Sequence, residues 1–261
     1  MFRMSNSPKP TIACVSQATL ITIHSVRGGT GKTNLSANLA ASFALNGSNT
    51  LIVDLDLPSP SQYVLFNIPT APNINQFFAG RKKLLDCCHK ATSRLWVIPA
   101  SPEPEEIARI SNIGYDKTPI KSLFQALPTV IKKHHIHVVI FDSHPGINTP
   151  TLTAHVMSDF PILIIRPDQQ DYTSAHTLIE ILKTFDIKPK LIINKNYGYH
   201  EQLISEDAAD QFSADCLIVF PLYTDILKHG SKGLFILDNH DHPFTQKINE
   251  LRLMLTQEAV C

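Results

Sequence analysis

The sequence predicts a single-domain α/β protein: a mostly parallel sheet with helices on both faces. Three observations carry this expectation. Short runs of β-forming residues alternate with helical stretches from about residue 19 to the end, the pattern of successive βαβ units. One of these runs, Thr50-Leu51-Ile52-Val53-Asp54, is nearly all apolar, as a parallel strand covered on both sides must be. At 261 residues and 43% hydrophobic composition, the chain can bury one substantial core, and nothing in it calls for a second.

Taken in order, residues 1–17 read as a flexible N-terminal lead, because Ser5, Ser7, Pro8 and Pro10 interrupt any period, and the domain occupies 18–261. A strand over 20–25 is followed by a glycine-rich loop and a helix over about 33–46, ended by Gly47 as a left-handed cap. The strand over 50–54 runs into Asp54-Leu55-Asp56-Leu57-Pro58-Ser59-Pro60-Ser61, where two prolines force a loop. Helices are expected near 73–79 and 82–89, a third strand over 95–100, and helices over 105–111 and 119–134. Then come a strand over 137–142, a strand over 161–166, a helix over 173–185, a strand over 190–194, a helix over 200–212, a strand over 216–220 and a last helix over 244–257.

The stretch with the most chemistry is Arg27-Gly28-Gly29-Thr30-Gly31-Lys32-Thr33-Asn34, between the first strand and the first helix. Three of the chain's ten glycines fall within four residues here, which lets the backbone curl so that successive N–H groups meet a phosphate at a helix N-terminus. Lys32 adds a point charge for the terminal phosphates and Thr33 a hydroxyl for Mg²⁺. The strict phosphate-loop pattern asks for glycine where Val26 stands, so this loop is a deviant form. Two further pieces lie at strand ends, where a parallel sheet holds its ligands: Asp54 and Asp56 after the second strand, and Asp142 closing Val139-Ile140-Phe141-Asp142.

Composition narrows the rest. Lys plus Arg and Asp plus Glu balance at 23 each, so no global field draws the chain to nucleic acid or an anionic membrane, and contact with either would have to be local. No apolar run approaches the ~20 residues needed to span a bilayer. Five cysteines, Cys14, Cys87, Cys88, Cys216 and Cys261, form no Cys-x-x-Cys pair and suit a reducing compartment, so the expectation is a soluble cytoplasmic protein. Adjacent Cys87 and Cys88 read as apolar thiols on a helix. His134, His135 and His137 straddle a helix–strand junction without an acidic cluster or a catalytic-zinc spacing, which disfavours a metal site.

A basic residue just before Gly-Gly-x-Gly-Lys-Thr resembles the signature of the MinD/ParA family of deviant phosphate-loop ATPases, which carry lysine where this chain has Arg27. Asp54-Leu55-Asp56 resembles that family's Asp-x-Asp segment, and Asp142-Ser143-His144-Pro145-Gly146 its Asp-x-x-x-Gly segment. The resemblance covers about residues 19–220. It implies ATP and Mg²⁺ as cofactors, held by Gly28, Gly29, Thr30, Gly31, Lys32, Thr33 and Asn34. It also implies that Thr33, Asp54, Asp56 and Asp142 serve the metal, with Asp56 orienting the attacking water. Asn194, closing Ile192-Ile193-Asn194, corresponds to an asparagine that bonds the adenine edge, and Pro221 to the segment that packs on the base. Arg27 corresponds to the residue that reaches across a dimer to the partner's nucleotide, so Lys32, Asp56 and Arg27 are the expected catalytic set.

The implied activity is slow, partner-stimulated ATP hydrolysis by a protein that cycles between monomer and ATP-bound homodimer and positions or partitions a cargo. An activator or cargo protein is expected, at a membrane or nucleoid if at either. The last helix is apolar on one face but carries few cations, which favours a docked core helix over a lipid anchor. A metabolic or metal-transfer enzyme on the same scaffold and a non-hydrolysing nucleotide-dependent scaffold remain the alternatives. The segment from Arg166 to Tyr172 resembles one found in a branch of MinD-like proteins, a resemblance that implies no particular role for it.

Overall fold

The computed structural model of the chain describes residues 18–113 and 118–259; the expected lead over 1–17, with Cys14, and Cys261 at the other end lie outside them. In order, the elements are β1 (Thr19–His24), α1 (Lys32–Leu45), β2 (Thr50–Leu55), α2 (Gln62–Leu65), α3 (Ile74–Phe78), β3 (His89–Lys90), β4 (Leu95–Ile98), α4 (Pro104–Ile113), α5 (Thr118–His134) and β5 (Val138–Ser143). There follow α6 (Thr149–Met157), β6 (Phe160–Ile165), α7 (Gln169–Lys183), β7 (Lys190–Asn196), α8 (Glu201–Phe212), β8 (Cys216–Pro221), α9 (Thr224–His229), α10 (Phe235–Asp238) and α11 (Pro243–Glu258). The strands make one sheet in the order β3-β4-β2-β5-β1-β6-β7-β8. Every pair is parallel except the edge pair β3–β4.

Side-chain alternation divides the core between the two faces. Ile21, Ile23, Ile52, Ile140 and Ile162 face α1 and α11, where Leu35, Leu39, Ile248 and Leu251 close over them. Leu51, Val53, Val139 and Phe141 face α5, while Leu163, Ile165, Leu191 and Ile193 face α7 and α8. Each such aliphatic side chain taken out of water contributes ~1.5–3 kcal/mol before entropy is counted. The second face falls into two clusters because β1, at the sheet's centre, turns polar residues that way. Thr22 bonds the Ala154 carbonyl and the Ser158 hydroxyl, and His24 bonds Ser143, so α6 covers a polar seam between the two apolar halves.

Several expectations need correction. The helix expected over 82–89 is a single 3-10 turn, Leu84–Cys87, followed by the two-residue β3. Asp86 turns back to accept from the Lys83 N–H at 3.3 Å, and His89 Nε2 donates to the Pro72 carbonyl at 2.6 Å, which ends the turn and lays the chain along β4. Cys87 thus ends a 3-10 turn and Cys88 follows it, with no α-helix to carry them; burial pushes their thiols up to about 11 and about 12. α7 starts four residues earlier than its apolar period, because Asp168 accepts from the N–H groups of Gln170 and Asp171 and caps it. The sequence does not predict the short helices α2, α6, α9 and α10.

Candidate functional site

Register brings the expected pieces together. Asp54 of β2 lies directly beside Asp142 of β5, and Asp142 beside Ile23 of β1, so both carboxylates sit at the strand ends from which the glycine loop departs. In the loop, Gly29 and Gly31 have φ of 75° and 98°, the left-handed region that glycine enters freely. Gly31 occupies the N-cap of α1 and has no side chain to offer the first-turn amides. A Cβ there would also stand 2.5 Å from Asn194 Nδ2. Lys32 and Thr30 are buried, while Gly28 and Gly29 are exposed and Thr33 and Asn34 half-buried.

The end of β7 holds this loop in shape. Asn194 Nδ2 donates to the Thr30 carbonyl at 2.7 Å, and Lys195 Nζ donates to the Gly29 carbonyl at 2.7 Å. With two carbonyls drawn outwards, the intervening N–H groups are left for an anion. Lys195 adopts φ of 60°, uncommon for a residue with a side chain. The structure therefore shows Asn194 engaged with the phosphate loop, a contact the sequence did not suggest. It also lines a cavity of about 180 Å³ with Gly31, Asn34, Pro221, Tyr223 and Ile226, where Pro221 was expected.

The three aspartates differ in what they do. Asp54 is wholly buried; its Oδ1 accepts from the Asp56 N–H, and its Oδ2 accepts from the N–H groups of Ser61 and Gln62. It organises the loop that carries Asp56, with its oxygens taken by amides rather than presented to a metal. Burial and the neighbouring charge of Asp142 still push its carboxyl well above the usual range. Asp142 Oδ2 accepts from Gln62 Nε2 at 2.8 Å, whereas its Oδ1 is buried without a partner. Burial raises the Asp142 carboxyl to about 6 against the lowering pull of Lys32, Gln62 and Thr33. Asp56 accepts at Oδ1 from His144 Nδ1 at 2.8 Å and from the Ser59 N–H at 3.3 Å.

Arg27 is folded back on its own chain. Its Nε lies 3.3 Å from Asp171 Oδ1, and Arg166 grips the same buried carboxylate through Nη2 at 2.9 Å and Nε at 3.1 Å. The Arg166 to Tyr172 segment thus supplies the anion that Arg27 meets. Behind the site, His24 Nδ1 bonds Ser143 Oγ at 2.6 Å and stacks edge-on against His155; burial holds both imidazoles below their ordinary value, that of His155 at about 4. Sequence reasoning missed Gln62, Asp171, Lys195 and the role of His144. Of these, His144 and Asp171 stood inside segments already singled out and Lys195 directly follows Asn194, whereas Gln62 lay outside them all. His134 and His137 lie just before β5, at the strand ends opposite the site, His134 against Trp96 and His137 Nδ1 accepting the Asn49 N–H.

Strand, glycine loop, buried lysine and two strand-end carboxylates define a phosphate-loop NTPase. A family model described as an AAA domain matches residues 18–196, and the chain belongs to that family, among relatives of the MinD/ParA kind. It is 28% identical over 169 residues to an uncharacterised ATP-binding protein of Methanocaldococcus jannaschii, covering 64% of this chain and 60% of that protein. It is 24% identical over 243 residues to the septum site-determining protein MinD of Buchnera aphidicola, covering 85% of each. The structure superposes on MinD of Pyrococcus horikoshii OT3 complexed with Mg-ADP with a TM-score of 0.76, at 22% identity, over 93% of this chain and 97% of that one. The chain spans less than two thirds of the length of the first of these relatives. Among the described residues no helix is long and apolar enough to cross a membrane.

Proposed function

We propose that this chain binds ATP with Mg²⁺, hydrolyses it slowly, and cycles between a monomer and an ATP-bound homodimer that positions or partitions a cargo. The observation that carries the reading is the buried, unpartnered Oδ1 of Asp142 beside Lys32 and the Thr33 hydroxyl. A carboxylate that burial raises to about 6 even against the pull of Lys32, with one oxygen unpartnered, fits the edge of a hydrated divalent ion. Among the described residues no three or more His, Cys, Asp or Glu side chains are placed to hold a metal ion by themselves. A magnesium site that draws its remaining ligands from phosphate and water needs none.

In this reading, the N–H groups of Gly28 to Thr33 and the Lys32 ammonium hold the phosphates. Thr33 and Asp142 serve the metal, which when bound offsets charge on the transferred phosphoryl group. Asp54 acts at one remove, by fixing the Asp56 loop. Asp56 offers its free oxygen to water, and Arg27, released from Asp171, adds a cation across a dimer. The likeness to septum site-determining proteins supports positioning as the use of the cycle.

Asp56→Ala tests the hydrolytic part. In single-turnover assays the variant should retain bound ATP for at least ten times as long as the parent, and light scattering should show a dimer accumulating, because the ATP state is no longer drained. Hydrolysis at the parental rate would remove Asp56 from the mechanism.

A further inference from the structure

His144 links the loop after β5 to the loop after β2. The residue before it is pinned, since Ser143 Oγ bonds His24 Nδ1 at 2.6 Å and donates to the Ile23 carbonyl at 3.1 Å. The chain is pinned again just beyond, where the Gly146 N–H donates to the Ser25 carbonyl at 3.2 Å and Gly146 takes φ of 99°. Between these anchors the imidazole of His144 meets Asp56 Oδ1 at 2.8 Å. With the Ser59 N–H, this places two donors on one oxygen of Asp56, while no described residue donates to the other, Oδ2.

The contact is not forced by burial. The His144 side chain is 37% exposed and would be satisfied by water, whereas Asp56 is 11% exposed and gains from a fixed partner. Because the acceptor is a carboxylate, Nδ1 must carry the proton, which selects one tautomer of the neutral ring and turns Nε2 outwards.

We infer that His144 is a positioning residue for hydrolysis: by donating its Nδ1–H to Asp56 Oδ1 it fixes the rotation of that carboxylate and reserves Oδ2 for the attacking water. This rests on the assignment of Asp56 as the water-orienting group. Proton and electron counts on His144 do not change in the step. Its contribution is orientation, for which a neutral donor at the same place suffices, so an asparagine amide is an adequate substitute.

The test uses the full chain and three variants, Asp56→Ala, His144→Ala and His144→Asn. Nitrogen-15 spectra of histidine-labelled protein without nucleotide, at about pH 8.5 where an ordinary imidazole is neutral, report the ring tautomer, with His144→Asn identifying the signal. The parent should show the Nδ1–H form at His144, and Asp56→Ala should return it to the Nε2–H form. In single-turnover hydrolysis, His144→Ala should be slowed about tenfold at unchanged ATP affinity, and His144→Asn should recover to within about threefold of the parent. An Nε2–H ring in the parent overturns the inference, as does His144→Ala at the parental rate or His144→Asn no faster than His144→Ala. If Asp56→Ala itself hydrolyses like the parent, the assignment of Asp56 fails. If Asp56→Ala is slow and His144→Ala is not, only the role of His144 fails.

Discussion

Arg27 and Asp171 lie 3.3 Å apart with the arginine 43% exposed, so their attraction is largely screened and contributes under ~1 kcal/mol to the fold. Asp171 does not depend on it, because Arg166 holds the same carboxylate through two side-chain bonds and its own N–H. Arg27 is therefore cheap to release, which a residue that must swing to a partner's phosphate requires. Arg27→Ala should leave thermal stability and monomer ATP binding near the parental values, yet weaken ATP-dependent dimerisation at least tenfold by light scattering. Arg27→Lys keeps the charge and loses only the fork of donors, so it should dimerise within about an order of magnitude of the parent. An alanine variant that dimerises normally would make Arg27 an ordinary surface residue. Legibility at this scale followed locality. Lys32, Thr33, Asp56 and Asp142 could be singled out because each stands in a short contiguous motif at the end of a strand or the start of a helix. Gln62 could not, since it matters through Asp142, 80 positions away, and Ser36, 26 positions away.

Among the elements, the central strands were the most legible, because a strand buried on both faces must be written in Val, Ile, Leu and Phe, as β2, β5 and β6 are. Bounds shifted where a cap outreached the apolar period, as Asp168 does for α7. The segment over 82–89 misled because Leu84, Leu85, Cys87 and Cys88 have helical spacing but bury against α5 in a single 3-10 turn. The helix α6 was passed over because Thr149, Pro150 and Thr151 look like a loop, whereas Asn148 accepts from the Thr151 N–H and Pro150 fits the first turn. Most telling is the Asp54 loop. Its two prolines announced an irregular exit from β2, but only the three amides converging on Asp54 reveal that this carboxylate builds the loop instead of facing outwards.

For the molecule as a whole, the polar seam under β1 lowers stability towards acid, against the opposite pull of Asp54 and Asp142, whose raised carboxyls take up protons more readily in the folded chain. His155 is fully buried, neither ring nitrogen has a partner, and burial holds its imidazole at about 4 against an ordinary 6.5. Folded protein cannot take up that proton while unfolded protein can, so the stability present at pH 7 is lost as pH falls from about 6.5 towards 4. His24 adds in the same direction. His155→Leu should keep urea stability at pH 7 within about 1 kcal/mol and reduce the loss between pH 7 and pH 5 by about 2 kcal/mol. An unchanged loss would show that the seam titrates elsewhere. All the functional proposals, however, depend on one prior fact, that the glycine loop and the start of α1 bind nucleotide. Titration calorimetry with ATP and Mg²⁺ on the parent and on Lys32→Ala addresses it directly. The parent should bind one ATP per chain and Lys32→Ala should show no measurable heat of binding at the same concentrations; a Lys32→Ala variant that binds ATP as tightly as the parent would contradict the phosphate-loop site and everything built on it.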